Sequence, residues 1–281
     1  MLFGFDISSI SLVVGTQQYI NYFNNPSGTV QGGINASLAG GSVIGAIFAG
    51  TISNKFGRKF ALFFSCLWWL VGTTVQVTTH SVAQLIVGRL LNGVCVGIAS
   101  SQVPVYLAEI AKKEKRGSIL VIQQLAIEFG ILIMYFLSYG CSFIGTETTT
   151  GSFRAAWAMQ YIPCVFLLAG LPFLPESPRW LVKAGRDKEA IEIIARVQAG
   201  GNINDPLVVA EYDEIKTVLD LERSALPGWR KYVKNGMWKR TFAGVSVQAV
   251  SDAQTTLLVT VADFVYAVAT TQWRQHHHLL W

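Results

Sequence analysis

Six apolar runs of about 20 residues, separated by short polar gaps, dominate this chain, and about 20 such residues are what a helix needs to cross the hydrocarbon core of a bilayer. They extend over Leu2–Tyr19, Ile34–Ser53, Phe60–Thr78, Leu85–Leu107, Ile119–Phe143 and Trp157–Leu174, with a weaker seventh at Phe242–Ala269. In lipid, backbone polar groups must be satisfied within the protein, so runs of this length predict an all-α membrane protein. Composition agrees: 51% of residues are hydrophobic and only 14% charged, against roughly a quarter charged in a soluble chain.

The second and fourth runs are rich in glycine (Gly40, Gly41, Gly45 and Gly50; Gly88, Gly93 and Gly97). Small residues let helix backbones approach closely where packing replaces the hydrophobic drive, so both helices are expected in the bundle interior. The net charge of +5 could suggest nucleic acid, but the basic residues gather in a few gaps between runs, where they read as topology signals. Lys55, Arg58 and Lys59 follow the second run, and Lys112, Lys113, Lys115 and Arg116 follow the fourth, whereas residues 21–33, 79–83 and 144–153 hold no Lys or Arg. This asymmetry predicts a cytoplasmic N-terminus. Residues 1–174 then form a six-helix bundle, residues 175–240 a cytoplasmic helical linker, and residues 241–281 a partial seventh helix with a tail.

Within the linker, a helix is expected over Asp187–Ala199, then a break at Gly200-Gly201-Asn202, then a second helix roughly bracketed by Asp205 and Glu222. Asp205 would cap it, with Pro206 at its first position. Pro227 and Gly228 end the region before the basic residues Arg230, Lys231 and Lys234. Cys66, Cys95, Cys141 and Cys164 each lie inside an apolar run and read as small buried hydrophobes. Residues Met1–Asp6 carry no basic leader, and no cleavage pattern follows.

Two charges interrupt the runs: Asp6 in the first and Arg89 in the fourth. Each costs about 2.5–3.5 kcal/mol at a helix centre unless partnered. Counting inward at about 1.5 Å per residue, Asp6 lies roughly 20 Å deep and Arg89 roughly 8 Å. Side-chain length and helix tilt would have to close that gap for the two to pair. Otherwise Arg89 snorkels to the headgroups and Asp6 sits near the opposite interface. Gln123 and Gln124 stand in a run otherwise apolar apart from Glu128, for which no physical account is evident. Amides donate and accept, which suits a polyol, although a helix-to-helix hydrogen bond would use them equally. No nucleophile, base and metal cluster converges anywhere, which argues against an enzyme and implies no cofactor. His276, His277 and His278 are consecutive and nothing nearby completes a metal site.

Several ordered segments carry a resemblance: Gly4-Phe5-Asp6, residues 50–59 (GTISNKFGRK), Gly88-Arg89, residues 104–109 (PVYLAE), Arg116-Gly117, Gln123-Gln124 and residues 175–181 (PESPRWL). Together they resemble the signature motifs of the sugar porter family of the major facilitator superfamily. The wording around Gly244–Gln248 is most similar to fungal hexose transporters. The resemblance implies two six-helix halves rocking about a central sugar site, of which residues 1–248 match the first half. It implies alternating-access transport of a hexose-type sugar, Asp6 and Arg89 as a proton-coupling pair, and Gln124 and Gln248 as sugar ligands beside Gln123. It also implies an inner gate of ion pairs around Gly57, Arg58, Glu109, Arg116, Glu176 and Arg179. The alternative for that last set is that the charges only fix topology and stay solvated. Asn54 replaces the acid most members carry, which should weaken one contact of the gate. The implied partners are sugar, protons and the lipid bilayer, with no nucleic acid, and the plasma membrane is the expected location.

After Gln248 the family's polar run gives way to Ala249-Val250-Ser251-Asp252-Ala253-Gln254, and Asp252 and Asp263 fall within the would-be seventh span. Met1 also falls inside what should be the first span. The chain therefore reads as a fragment at both ends, lacking the C-terminal half of the transporter. A non-transporting sugar sensor and an inactive fragment are the alternatives to a transporter.

Overall fold

The structure is a computed structural model, and it describes residues 1–144 and 150–224 together with Phe242 and Ser246. Among these residues there is no strand. The helices are α1 (Leu2–Val13), α2 (Gln17–Tyr22), α3 (Gly28–Phe56), α4 (Arg58–Val77), α5 (Val82–Ile110), α6 (Arg116–Ser142), α7 (Gly151–Ala158), α8 (Tyr161–Gly170), α9 (Pro178–Lys183), α10 (Asp187–Gln198) and α11 (Pro206–Ser224). Short 3-10 turns sit at Lys113–Lys115 and Leu171–Phe173. Among the described residues α3, α4, α5, α6 and the stretch Gly151–Phe173 are long and apolar enough to cross a membrane. Apart from Phe242 and Ser246, the expected seventh span lies outside the described residues, as do Gln248 and the terminal tail.

Two expected spans are interrupted. The first, read as continuous over Leu2–Tyr19, stops at Val13 and restarts at Gln17. Thr16 ends it: both its amide (3.0 Å) and its hydroxyl (2.6 Å) bond the Val13 carbonyl, which a continuing helix would have given to Gln17. The sixth begins at Gly151 and breaks at Met159–Gln160. Pro163 has no N–H for the Met159 carbonyl, and Ile162 takes that oxygen at 3.2 Å instead.

The glycine pattern sorts itself by packing. A Cβ on Gly41, Gly45, Gly93 or Gly97 would collide with backbone atoms across the α3–α5 seam, and one on Gly88 would press on Gln76 of α4. Gly40 and Gly50 face open space. The interior placement expected of both helices is therefore half corrected. α5 is enclosed by α3 and α4, whereas α3 buries only the stripe Ile34, Leu38, Gly41, Gly45, Ala49 and Ser53 and leaves Val43, Ile47 and Phe48 bare. α1 crosses α6 so closely that a Cβ on Gly4 would strike the backbone at Ile127.

Two apolar clusters hold the bundle. One, toward the Gln31 end of α3, joins Phe5, Val13, Tyr19, Phe23, Ile34, Leu85, Met134, Phe153 and Trp157. The other, toward Gly57, joins Leu62, Cys66, Trp69, Cys95, Tyr106, Cys164 and Leu171. α5 passes from Leu85 of the first to Cys95 of the second, and the residues between them include Arg89 and Asn92. All four cysteines are buried, as their apolar settings predict.

Residues Met1–Thr217 make one compact unit, and a second extends from Val218. α9 starts at Pro178 with Ser177 as its cap, the Ser177 hydroxyl accepting from the Trp180 amide at 3.3 Å. α10 and α11 appear where the linker pattern places them. Asp205 accepts the Leu207 amide at 2.9 Å with Pro206 in the first position, and Ile194, Ala195 and Val208 pack between the two helices.

Candidate functional site

A polar belt crosses the bundle between the two apolar clusters. Asp6 on α1 is fully buried, and neither carboxylate oxygen has a hydrogen-bond partner. Arg89 on α5 is 3% exposed, and its Nε and Nη1 are likewise without partners. The two attract each other electrostatically across a separation longer than an ion-pair contact. Asn92 and Gln160 stand beside the Asp6 carboxylate without reaching hydrogen-bond geometry. A chain of amides and hydroxyls supports them. Gln160 Nε2 donates to Ser9 Oγ at 2.8 Å, and Ser9 Oγ donates to the Asp6 carbonyl at 2.8 Å. Asn92 Nδ2 reaches Gln160 Oε1 at 3.4 Å and Thr73 Oγ1 at 3.5 Å. Trp69 Nε1 fixes the Gln160 backbone carbonyl at 3.4 Å. The belt thus gathers α1, α4, α5 and the α7–α8 break, and the break matters because it presents Gln160 inward at a helix end. Beside the belt lies a cavity of about 370 Å³ between α1, α3 and α5, on which Arg89 opens.

At the Gly57 end the chain turns from α3 to α4 on a glycine with φ of 100°. Arg58 Nε and Nη2 each meet a Glu109 oxygen at 2.9 Å, a bidentate pair with both side chains about nine-tenths covered. Arg58 Nη1 also donates to the Ser53 carbonyl at 3.3 Å, and the Ser177 hydroxyl donates to Glu109 Oε2 at 2.6 Å. Among the described residues Glu176 has no ion pair with a guanidinium. Its Oε1 accepts the backbone amides of Arg58, Lys59 and Ser177 at 3.1, 3.2 and 3.1 Å, so a carboxylate from the segment before α9 caps α4. Asn54 accepts Lys183 Nζ on its side chain and Trp180 Nε1 on its carbonyl, both at 3.2 Å. Gly57, Arg58, Glu109 and Glu176 are therefore brought together, and Arg179 lies on α9 beside them in sequence. Arg116, at the exposed start of α6, makes no ion pair among the described residues.

The α6 glutamines lie elsewhere. Gln124 is exposed and donates to Glu128 Oε1 at 3.0 Å, one turn along the same helix, which supplies Glu128 with a partner. Gln123 is half-buried, with its Oε1 unpartnered. Neither lines the cavity on which Arg89 opens.

Residues 1–261 match the family described as "Sugar (and other) transporter". The chain belongs to this family. Among its relatives, the MFS glucose transporter mfs1 of Aspergillus flavus is 42% identical over 254 residues, 88% of this chain and 48% of that protein. The galactose-proton symporter of Escherichia coli is 32% identical over 251 residues, 89% of this chain and 51% of that protein. A structure of the proton:xylose symporter XylE bound to 6-bromo-6-deoxy-D-glucose superposes with a TM-score of 0.72 at 29% identity, covering 80% of this chain and 51% of that one. The chain spans about half the length of the relatives it matches. Family membership and the apolar helices make it a multi-pass integral membrane protein of the major facilitator fold, a transporter-family chain and not an enzyme.

For this sugar-transporter-family chain, sequence reasoning selected the two charges of the belt and passed over its neutral members: Ser9, Thr73, Asn92 and Gln160. Amides and hydroxyls raise no alarm in an apolar run, and the available signal was their spacing. Thr73 with Gln76, and Arg89 with Asn92, each repeat at i and i+3 and so share a helix face. Arg154 was also passed over. From α7 its Nη2 donates to the Thr79 carbonyl at 3.1 Å and to the Tyr22 hydroxyl at 3.4 Å, tying α2, the turn after α4 and α7 together at the end opposite Gly57.

Proposed function

We propose that this chain forms the N-terminal, six-helix part of a transporter that carries hexose-type sugars by alternating access, coupled to protons through Asp6 and Arg89. The observation carrying this reading is the fully buried Asp6 carboxylate, unpartnered within an apolar span and attracted by an equally buried Arg89. An ionised carboxylate is stabilised there by the guanidinium, and protonation releases that attraction, so the two protonation states favour different arrangements of α1 against α5. The names of the relatives, which include glucose, galactose-proton and xylose transporters, support sugar as the cargo.

In this reading residues 1–174 are the bundle, 175–240 a cytoplasmic linker, and 241–281 a seventh helix with its tail. A second six-helix half completes the cavity, to which Gln123, Gln124 and Gln248 contribute as sugar ligands. Arg58, Glu109 and Glu176, assisted by Arg116 and Arg179, act as an inner gate around Gly57. The N-terminus faces the cytoplasm of a cell whose plasma membrane holds the protein.

Uptake of labelled glucose by transporter-null cells expressing an intact transporter that carries this chain as its N-terminal half, with and without an imposed proton gradient, tests the proposal. Asp6→Asn is expected to abolish gradient-driven accumulation while leaving sugar exchange. Accumulation that survives this substitution refutes proton coupling through Asp6, and absence of glucose movement by the intact transporter refutes the sugar-transport reading.

A further inference from the structure

The cavity between α1, α3 and α5 is not explained by proton coupling. It holds about 370 Å³, within the range of about 300–1,000 Å³ typical of small-molecule sites. Its walls combine apolar faces, among them Ile10 and Leu38, with four polar side chains: Ser11, Gln31, Asn35 and Arg89. The polar groups are left in a particular state. Arg89 Nε and Nη1 are buried donors without acceptors, and so is Gln31 Nε2. Gln31 is not free to turn away, because its Oε1 accepts the hydroxyl of fully buried Tyr19 at 3.3 Å, which leaves the amide nitrogen as the end still to be satisfied. Ser11 donates to the Ile7 carbonyl at 3.2 Å and keeps its lone pairs. Asn35 is exposed on the cavity, offering one donor group and one acceptor.

A buried donor without an acceptor is costly, and three such atoms on two side chains at one cavity describe an occupant that brings oxygen acceptors. Ser11 and Asn35 ask in addition for hydroxyl donors, and the aliphatic walls for C–H faces. A polyol ring meets all three demands. A simple anion would satisfy Arg89 and Gln31 but would leave the acceptors of Ser11 and Asn35 unused, and it would sit close to the Asp6 carboxylate. The geometry points to a second sugar subsite at this cavity, separate from Gln124, in which Gln31, Asn35 and Arg89 hydrogen-bond a hexose. This inference rests on the proposed sugar reading. It adds to that reading that the same guanidinium which senses Asp6 also contacts the sugar, so carboxylate charge and sugar affinity are linked at one side chain.

The test is equilibrium binding of tritiated D-glucose to the purified chain in lipid nanodiscs, with circular dichroism as the check that each variant is folded. Asn35→Leu removes a side chain with no hydrogen bond in the structure, and Gln31→Leu removes the oriented donor. Each is expected to raise the glucose Kd about fivefold to tenfold, the scale of one lost hydrogen bond, whereas Gly40→Ala, on the bare side of α3, leaves it unchanged. Unchanged affinity in both Asn35→Leu and Gln31→Leu overturns the subsite and leaves the sugar reading standing. Binding of gluconate in preference to glucose, abolished by Asn35→Leu, overturns the polyol assignment. No glucose binding by any folded form overturns the subsite and the sugar reading together.

Discussion

Gly57 meets two demands that no other residue satisfies. Its φ of 100° lies where an L side chain is strained, and a Cβ would stand 2.9 Å from Glu176 Oε2, the carboxylate that caps α4. Gly57→Ala should therefore cost about 1–3 kcal/mol, seen as a lower melting temperature by intrinsic tryptophan fluorescence, while Gly50→Ala, which faces open space, should not lower it. Arg58 and Glu109 form a pair with both side chains largely covered, so removing one partner strands the other. Glu109→Ala should cost about 3 kcal/mol, and the Arg58→Ala/Glu109→Ala double variant should be less unstable than the two single losses summed. A strictly additive cycle would show that the pair contributes nothing of its own. The sequence made these residues visible for a physical reason: charge and glycine are expensive in a span or at its end. Asp6, Arg89, Gly57 and Arg58 stood out on that ground. Asn92 and Gln160 did not, because an amide costs less in an apolar helix than a charge, and their neighbours lie on other helices at sequence distances no local pattern reveals.

At the scale of elements, run length and loop composition located a helix at each expected span within the described residues, five of the six stretches being long and apolar enough to cross a membrane, because hydrophobic thickness fixes helix length. The interruptions were hidden. The Thr16 hydroxyl and the missing Pro163 amide act on single carbonyls, which leaves the hydropathy of the run unchanged. Glycine richness was likewise read correctly for α5 and only in part for α3, since composition does not say which side of a helix its glycines occupy. The seam itself gives a sharp expectation. Gly93 of α5 faces backbone of α3, and a side chain there forces the helices apart, whereas Gly40 on the bare side of α3 touches nothing. Gly93→Leu should broaden or shift the monodisperse peak of the detergent-solubilised chain on size-exclusion chromatography, and Gly40→Ala should leave it unchanged. Equal behaviour of the two variants would mean that the α3–α5 contact does not hold the bundle together.

For the whole molecule, the two ends of the bundle differ in charge and in how that charge is held. The Gly57 end carries Lys55, Lys59, Lys112 and Arg116, and the described residues of the opposite end carry Arg154, which is bonded inward to Thr79 and Tyr22 instead of being left to headgroups or solvent. In the proposed topology, retention of Lys and Arg on the cytoplasmic side predicts Gly57 inward and Ser27 outward. The native cysteines make this easy to check, because all four are buried in the bundle and should react poorly with a membrane-impermeant maleimide. Against that silent background, Ser27→Cys, at an exposed position before α3, should be labelled in intact cells. Glu114→Cys, at an exposed position between α5 and α6, should be labelled only after the membrane is permeabilised. The opposite pattern would invert the proposed orientation. Labelling of both positions from one side would require an even number of crossings among α3, α4 and α5, which three continuous spans do not provide, and the third site that locates the fault is Ser81→Cys at the exposed cap of α5. It must share the side of Ser27 if α3 and α4 each cross once, and labelling of Ser81→Cys from the side of Glu114 would break the six-helix topology at its second hairpin.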